Sequence, residues 1–266
     1  MIWVNTVTDR MPLLAPLRQF AGSGSDWPPL EKLQARMDAA GLRVAAGHPL
    51  RLVAPDGAQP YEQRLYETGE LEFREHNWHD WFNLMIWFAY PRAKAALNAR
   101  HYAAWSAAPV SGRGAVRDAL TLFDESGLVV LADDPALLAL IRGFEWKALF
   151  LGRRADCLTR MRVLPFGHAL CEKAMAPYRG ITGQALLFEV TPQVLKLDDR
   201  GLLAAMDEQL ALSIAAAGSL ATTRELAPLP VLGIPGWCAD NADPAYYDDT
   251  RQFRSGRRLH LTEARQ

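Results

Sequence analysis

The stretch EHNWHDWFNLMIWF, residues 75–88, constrains the fold more than any other part of the chain. Read as a helix from Trp78 to Tyr90, at about 100° per residue, it places His76, His79, Asp80, Asn83 and Trp87 along one stripe. Trp78, Trp81, Phe82, Met85 and Phe88 cover the opposite side, and Leu84 and Ile86 fill the flanks. A helix apolar around most of its circumference is a buried helix. Its polar stripe then has two options: to satisfy itself, or to face a polar cavity, a metal or a substrate. An unsatisfied buried polar group costs on the order of 1–3 kcal/mol.

Part of the stripe is explained without function. Asn77 is a good N-cap, and Asp80 three residues later favours the helix dipole. His76 and Asp80 are four apart and can pair. His79 and Asn83 are not explained in this way. The pattern His-x-x-His-Asp at a helix start offers imidazole and carboxylate to one divalent ion. His168 and Glu172, four apart in FGHALCEK, share a face of a later helix. If the two helices face each other, His76, His79, Asp80, His168 and Glu172 supply a mixed nitrogen/oxygen site, as bundle-core metal sites do. Zinc or manganese suits such donors.

The rest of the chain reads as helices mixed with short strands, without a strict β-α-β rhythm, which points to an α+β fold. Helices are expected in LEKLQARMDAAGL, from Pro91 through RAKAALNARHYAAW, after Asp134-Pro135, in the His168 segment and in DDRGLLAAMDEQLALSIAAAG. Strands are expected in RLVAP, ITGQALLFEV and PLPVLGI, and hairpins in YEQRLYETGELEF around Thr68-Gly69 and in ALTLFDESGLVVLA around Asp124–Gly127. No repeat or long linker divides the 266 residues, so one domain over 1–266 is the expectation. From Pro235 onward the chain is irregular but aromatic, as in a lid or a draped arm. There Arg251, Arg254, Arg257 and Arg258 are candidates for holding an anionic group.

Composition removes several classes. The net charge of −1 gives no global pull toward nucleic acid or anionic lipid. The basic patch Arg153, Arg154, Arg160, Arg162 lacks interleaved aromatics for base stacking. Three cysteines, Cys157, Cys171 and Cys238, form no Cys-x-x-Cys pair and no disulfide framework. The N-terminus MIWVNTVTDRMP has no signal-peptide pattern, and Asn83 and Pro91 interrupt the longest apolar stretch well short of the roughly 20 residues of a membrane span. A cytoplasmic setting, with no nucleic-acid or membrane partner, is the expectation. Ser111-Gly-Arg-Gly114 is a loop rather than a dinucleotide turn, and no Gly-x-Ser-x-Gly elbow occurs.

Several segments in order, NWHDWFN, the following Pro-Arg-x-Lys helix, LTLFDESG, FGHALCEK and PLPVLGIPGW…YYDDTRQFR, resemble a bacterial family catalogued as domain of unknown function 3025. The resemblance implies a self-contained bacterial domain and no particular activity. The residues themselves point to a metal-dependent hydrolase for a small anionic substrate. In that reading His79, Asp80 and Asn83 act in catalysis, Asn83 orienting a neighbour or the substrate, while Arg251 and Arg254 hold the anion. The alternative is a structural, interaction or small-molecule-binding protein in which the same residues cap and satisfy a buried helix.

Overall fold

The computed structural model describes residues 11–22, 26–57, 59–106 and 114–256. The first ten residues, Ser111–Arg113, Arg257 and Arg258 lie outside them. The architecture is α+β. In chain order the elements that matter are α1 (Leu30–Ala40), β1 (Arg51–Val53), α2 (Tyr61–Thr68), β2 (Glu70–Glu72), α3 (Trp78–Ala89) and α4 (Pro91–Ser106). Then come α5 (Ala115–Ser126), β3 (Gly127–Ala132), α6 (Pro135–Arg142), β4 (Met161–Pro165), α7 (His168–Ala174), β5 (Thr182–Glu189), α8 (Asp199–Ala215) and β6 (Ala227–Pro230). No helix among the described residues is long and apolar enough to cross a membrane.

The helix α3 begins where its cap requires: the Asn77 side chain accepts from the Asp80 amide at 3.1 Å. It ends before Pro91, which opens α4. Trp81, Phe82, Leu84, Met85, Ile86 and Trp87 are buried, so α3 is the central helix that its composition demands.

Both expected hairpins are corrected. Residues 61–68 form the helix α2, closed by Gly69 in the left-handed conformation, with its amide bonded to the Leu65 carbonyl. A Cβ at Gly69 would lie 2.3 Å from the Pro49 carbonyl oxygen, so this glycine ends a helix rather than turning a hairpin. Strands β1 and β2 then pair in parallel, Leu52 opposite Leu71, across the helical crossover. Likewise α5 runs through Asp124, Glu125 and Ser126, and β3 starts at Gly127. Ala119, Leu120 and Phe123 are buried at helical spacing, and packing of that face overrides the β-type composition.

The larger sheet has the order β4-β3-β5-β6. Strand β3 pairs antiparallel with β4 and parallel with β5, and all six of its residues are buried. The basic patch of residues 153–162 is partly strand β4, and its arginines are matched: Arg153 and Arg160 both pair with Asp134, at 2.5 and 3.2 Å. The C-terminal segment packs through buried Tyr247 against Phe150, with Phe253 on Tyr247, and Trp146 Nε1 donates to the Arg254 carbonyl at 2.8 Å.

One close approach places the site. The Gly127 carbonyl accepts from the amides of both Phe166 (3.0 Å) and Gly167 (2.8 Å), so the end of β4 is tied to the junction of α5 and β3. A Cβ on Gly167 would lie 2.2 Å from the Gly127 nitrogen and 2.5 Å from two Ser126 backbone atoms. Gly167→Ala is therefore expected to cost about 1–3 kcal/mol through forced backbone displacement, read as a lower urea midpoint. An unchanged midpoint would contradict this packing.

Candidate metal centre

His79 stands in the first turn of α3, His168 is the first residue of α7, and Glu125 lies in the last turn of α5. Three separate elements therefore send donors to one place. His79 Nε2 and His168 Nε2 are 3.0 Å apart, with the rings edge to face. His168 Nε2 is 3.7 Å from Glu125 Oε2. One donor atom from each of the three lies within 4.8 Å of the others. Two nitrogens bound to one tetrahedral zinc at 2.0–2.1 Å are separated by roughly 3.3 Å, so a small opening of this contact, which is otherwise at N–H···N hydrogen-bond distance, would admit a shared ion.

Each imidazole has a carboxylate behind it. His79 Nδ1 is 3.2 Å from Glu172 Oε2. His168 Nδ1 is 3.8 Å from Asp124 Oδ2, is buried, and has no hydrogen-bond partner. A carboxylate opposite Nδ1 favours the tautomer with the proton on Nδ1. With both rings in that form, two bare Nε2 lone pairs face each other, and a cation between them removes the repulsion.

Behind Asp124 lies a buried polar chain. Lys94 Nζ donates to Asp124 Oδ1 at 2.5 Å and to Asn83 Oδ1 at 3.0 Å, and Asn83 Nδ2 donates to the Tyr61 hydroxyl at 3.1 Å. Burial works against the Asp124 carboxylate, but the charge and the hydrogen bond of Lys94 outweigh it and hold its pKa below the usual value. Burial, helped by Lys94 and His79, lowers His168 to about 4, so its imidazole is neutral and able to ligate at pH 7.

These groups form one wall of a cavity of about 510 Å³ that also exposes Glu62, His101, Arg117 and Thr121. Asn98 Nδ2 bonds Glu62 Oε2 at 2.7 Å, and His101 Nε2 approaches Glu62 Oε1 at 4.0 Å. Burial, and then the charge of Asp124, push the Glu62 carboxyl up to about 7. A carboxyl titrating near neutrality inside a cavity is suited to proton transfer.

The candidates from the sequence fall into three groups. His79 and His168 converge, and Glu172 stands behind His79 at Nδ1 instead of among the converging atoms. Asp80 and Asn83 line the cavity but are occupied. Arg74 bonds both Asp80 oxygens, at 2.8 Å each, and Asn83 bridges Lys94 and Tyr61. The Asp80 pKa is depressed because these Arg74 bonds outweigh its burial. The remaining three lie elsewhere. His76, at φ 58°, precedes the cap and packs its ring against Trp27. Arg251 is bound to Asp249 at 2.9 and 3.0 Å, and Arg254 Nε donates to the Arg251 carbonyl. Glu125, Asp124, Glu62, Lys94 and Arg117 are the residues that sequence reasoning missed. The spacing 117, 121, 124, 125 was the available signal, since it puts Arg117, Thr121, Asp124 and Glu125 on one helical face.

Two of these groups oppose each other in the pH dependence of stability. His168 binds its proton at about 6.5 unfolded but about 4 folded, so its contribution is lost as pH falls through that window. Glu62 binds at about 4.5 unfolded and about 7 folded, so its contribution is lost as pH rises through nearly the same window. In chelated protein Glu62→Gln should make stability climb by roughly 2 kcal/mol relative to wild type between pH 4.5 and 6.5. His168→Gln should make it fall by a similar amount. Parallel curves for the two variants in equilibrium unfolding would refute this pairing.

No curated protein and no solved structure matches the chain. The family model described as "Protein of unknown function (DUF3025)" matches residues 50–257, which include every residue of the cavity wall. The chain belongs to this DUF3025 family.

Proposed function

We propose that the protein is a metal-dependent hydrolase of a small substrate bearing an anionic group, with His79, His168 and Glu125 as the metal ligands. The observation that carries this reading is the opposition of two Nε2 atoms at 3.0 Å, each on a ring with a carboxylate near its Nδ1. Three protein ligands leave a coordination position for water, the arrangement of catalytic rather than structural zinc. A divalent ion held by these residues would lower the pKa of a bound water toward about 7 and would polarise the scissile carbonyl or phosphoryl oxygen. Zinc or manganese suits a set of two imidazoles and one carboxylate.

The chain's own groups divide the remaining tasks. Glu172 holds the His79 ring in the ligating orientation, and the Asp124 carboxylate behind His168 Nδ1 favours the tautomer that leaves its Nε2 bare. Lys94 keeps Asp124 ionised. Glu62, clamped by Asn98, is the group in the cavity able to carry a proton at neutral pH. Asn83, read from the sequence as an orienting residue, orients Lys94 rather than the substrate.

Protein purified without chelator or nickel resin should carry about one zinc or manganese per chain by elemental analysis. His79→Ala and His168→Ala should abolish binding, and Glu172→Gln should weaken it by about 10- to 100-fold. A panel of phosphoester and ester substrates should then show turnover that the chelator removes. Full occupancy by iron would move the reading from hydrolysis to redox chemistry. Absence of any metal, with His79→Ala changing only the melting temperature, would establish the alternative in which these residues satisfy a buried helix.

A further inference from the structure

Most charges around the cavity are matched by contact, the exceptions being the carboxyl of Glu62, held by Asn98, and one cation. Asp80 is taken by Arg74, and Asp124 by Lys94. Glu72 lies 3.6 Å from Arg64, which also pairs with Glu70. Glu125 belongs to the converging donor set. Arg117 is the cation left over: it lines the cavity, is half-buried, and has no hydrogen-bond or ion-pair partner among the described residues. Its charge acts on Glu62 from a distance and is not neutralised by contact.

The position of Arg117 is set by α5. Arg117, Thr121 and Glu125 succeed one another every four residues and all reach the cavity. The axial rise from Arg117 to Glu125 is about 12 Å, two helical turns and more. The metal donors and the unmatched guanidinium therefore enter one cavity of about 510 Å³ from positions about 12 Å apart along α5.

We propose that Arg117 is the anion-binding residue of this cavity, and that it holds a carboxylate or phosphoryl group of the substrate remote from the bond that is hydrolysed. The inference rests on the hydrolase reading for the words "substrate" and "hydrolysed", but the anion site stands on its own geometry. The anion is a handle, not the reacting group. A guanidinium receives either oxyanion through two parallel N–H bonds. Binding energy from such a remote group serves to orient the reacting bond at the metal. Arg251 and Arg254, bound to Asp249 and to backbone outside the cavity, have no part in it.

The test is calorimetric titration of inorganic phosphate and of acetate into the full chain, metal-loaded and chelated. At least one anion should bind wild type. Arg117→Gln should weaken it by about tenfold or more, the loss of one charge-assisted pair. Arg117→Lys, which keeps the charge but not the fork, should fall between. The double variant R251Q/R254Q should bind as wild type does. Chelation should leave anion affinity within about twofold, because the handle is remote from the metal. The tighter of the two anions identifies the group on the substrate. Wild-type binding in Arg117→Gln, no binding of either anion to wild type, or binding that vanishes on chelation would overturn the proposal. Metal content of the same samples separates the two readings: a metal-free chain with Arg117-dependent anion binding would end the hydrolase reading and leave the anion site.

Discussion

The contact on which the rest of the site depends is the buried pair between Lys94 of α4 and Asp124 of α5. Their side chains are 4% and 11% exposed, so both charges have left water almost completely. Each ion costs several kcal/mol to desolvate, and a buried pair persists only where its remaining donors and acceptors are also met. Here Lys94 gives a second bond to Asn83 and lies over the Trp87 ring, both on α3. One ammonium thus fixes the relative rotation of three helices. It also leaves Asp124 ionised and facing His168.

From that constraint the converging imidazoles follow. Asp124 is one residue from Glu125 and lies 3.8 Å from His168 Nδ1, so the same turn of α5 both backs one ring and supplies the carboxylate donor. The close approach of Gly127 and Gly167 brings the start of α7 to this turn, and the Asn77 cap sets where α3 begins and so where His79 points. A stability-only arrangement would be expected to pair these polar groups with one another. Here His168 Nδ1 is left without a hydrogen bond, and the two imidazole Nε2 atoms meet at 3.0 Å in the cavity wall beside Glu125. Donors brought together by a rigid scaffold are what an ion-binding site requires.

Half of the site was legible in the sequence. The near-continuous apolar character of α3 marked it as central, and His79 and Asn83 stood out because nothing local explained them. The spacing of His168 and Glu172 pointed to the second helix. Local patterns could not show more, for identifiable reasons. Residues 61–68 and 115–126 carry β-type residues and end at glycines, so they read as hairpins although tertiary packing makes them helices. Glu62 lies in the first of those segments, Asp124 and Glu125 fall in the expected turn of the second, and Arg117 precedes that hairpin, so a strand-and-turn reading does not bring them to one face. His76 was placed by extending the helical phase past the cap, where the backbone adopts φ 58° and the phase is lost. The roles expected for Arg251 and Arg254 depend on long-range placement, and both side chains are instead held locally, Arg251 by Asp249 and Arg254 by the Arg251 carbonyl.

The central claim is that one divalent ion lies between His79, His168 and Glu125. Anomalous diffraction at the zinc or manganese edge, from crystals of metal-loaded protein, addresses it most directly. The account predicts a single strong peak about 2.0–2.2 Å from both Nε2 atoms and from a Glu125 oxygen. A refined structure with full metal in the mother liquor, no peak at that position, and the two imidazoles hydrogen-bonded to each other would contradict it.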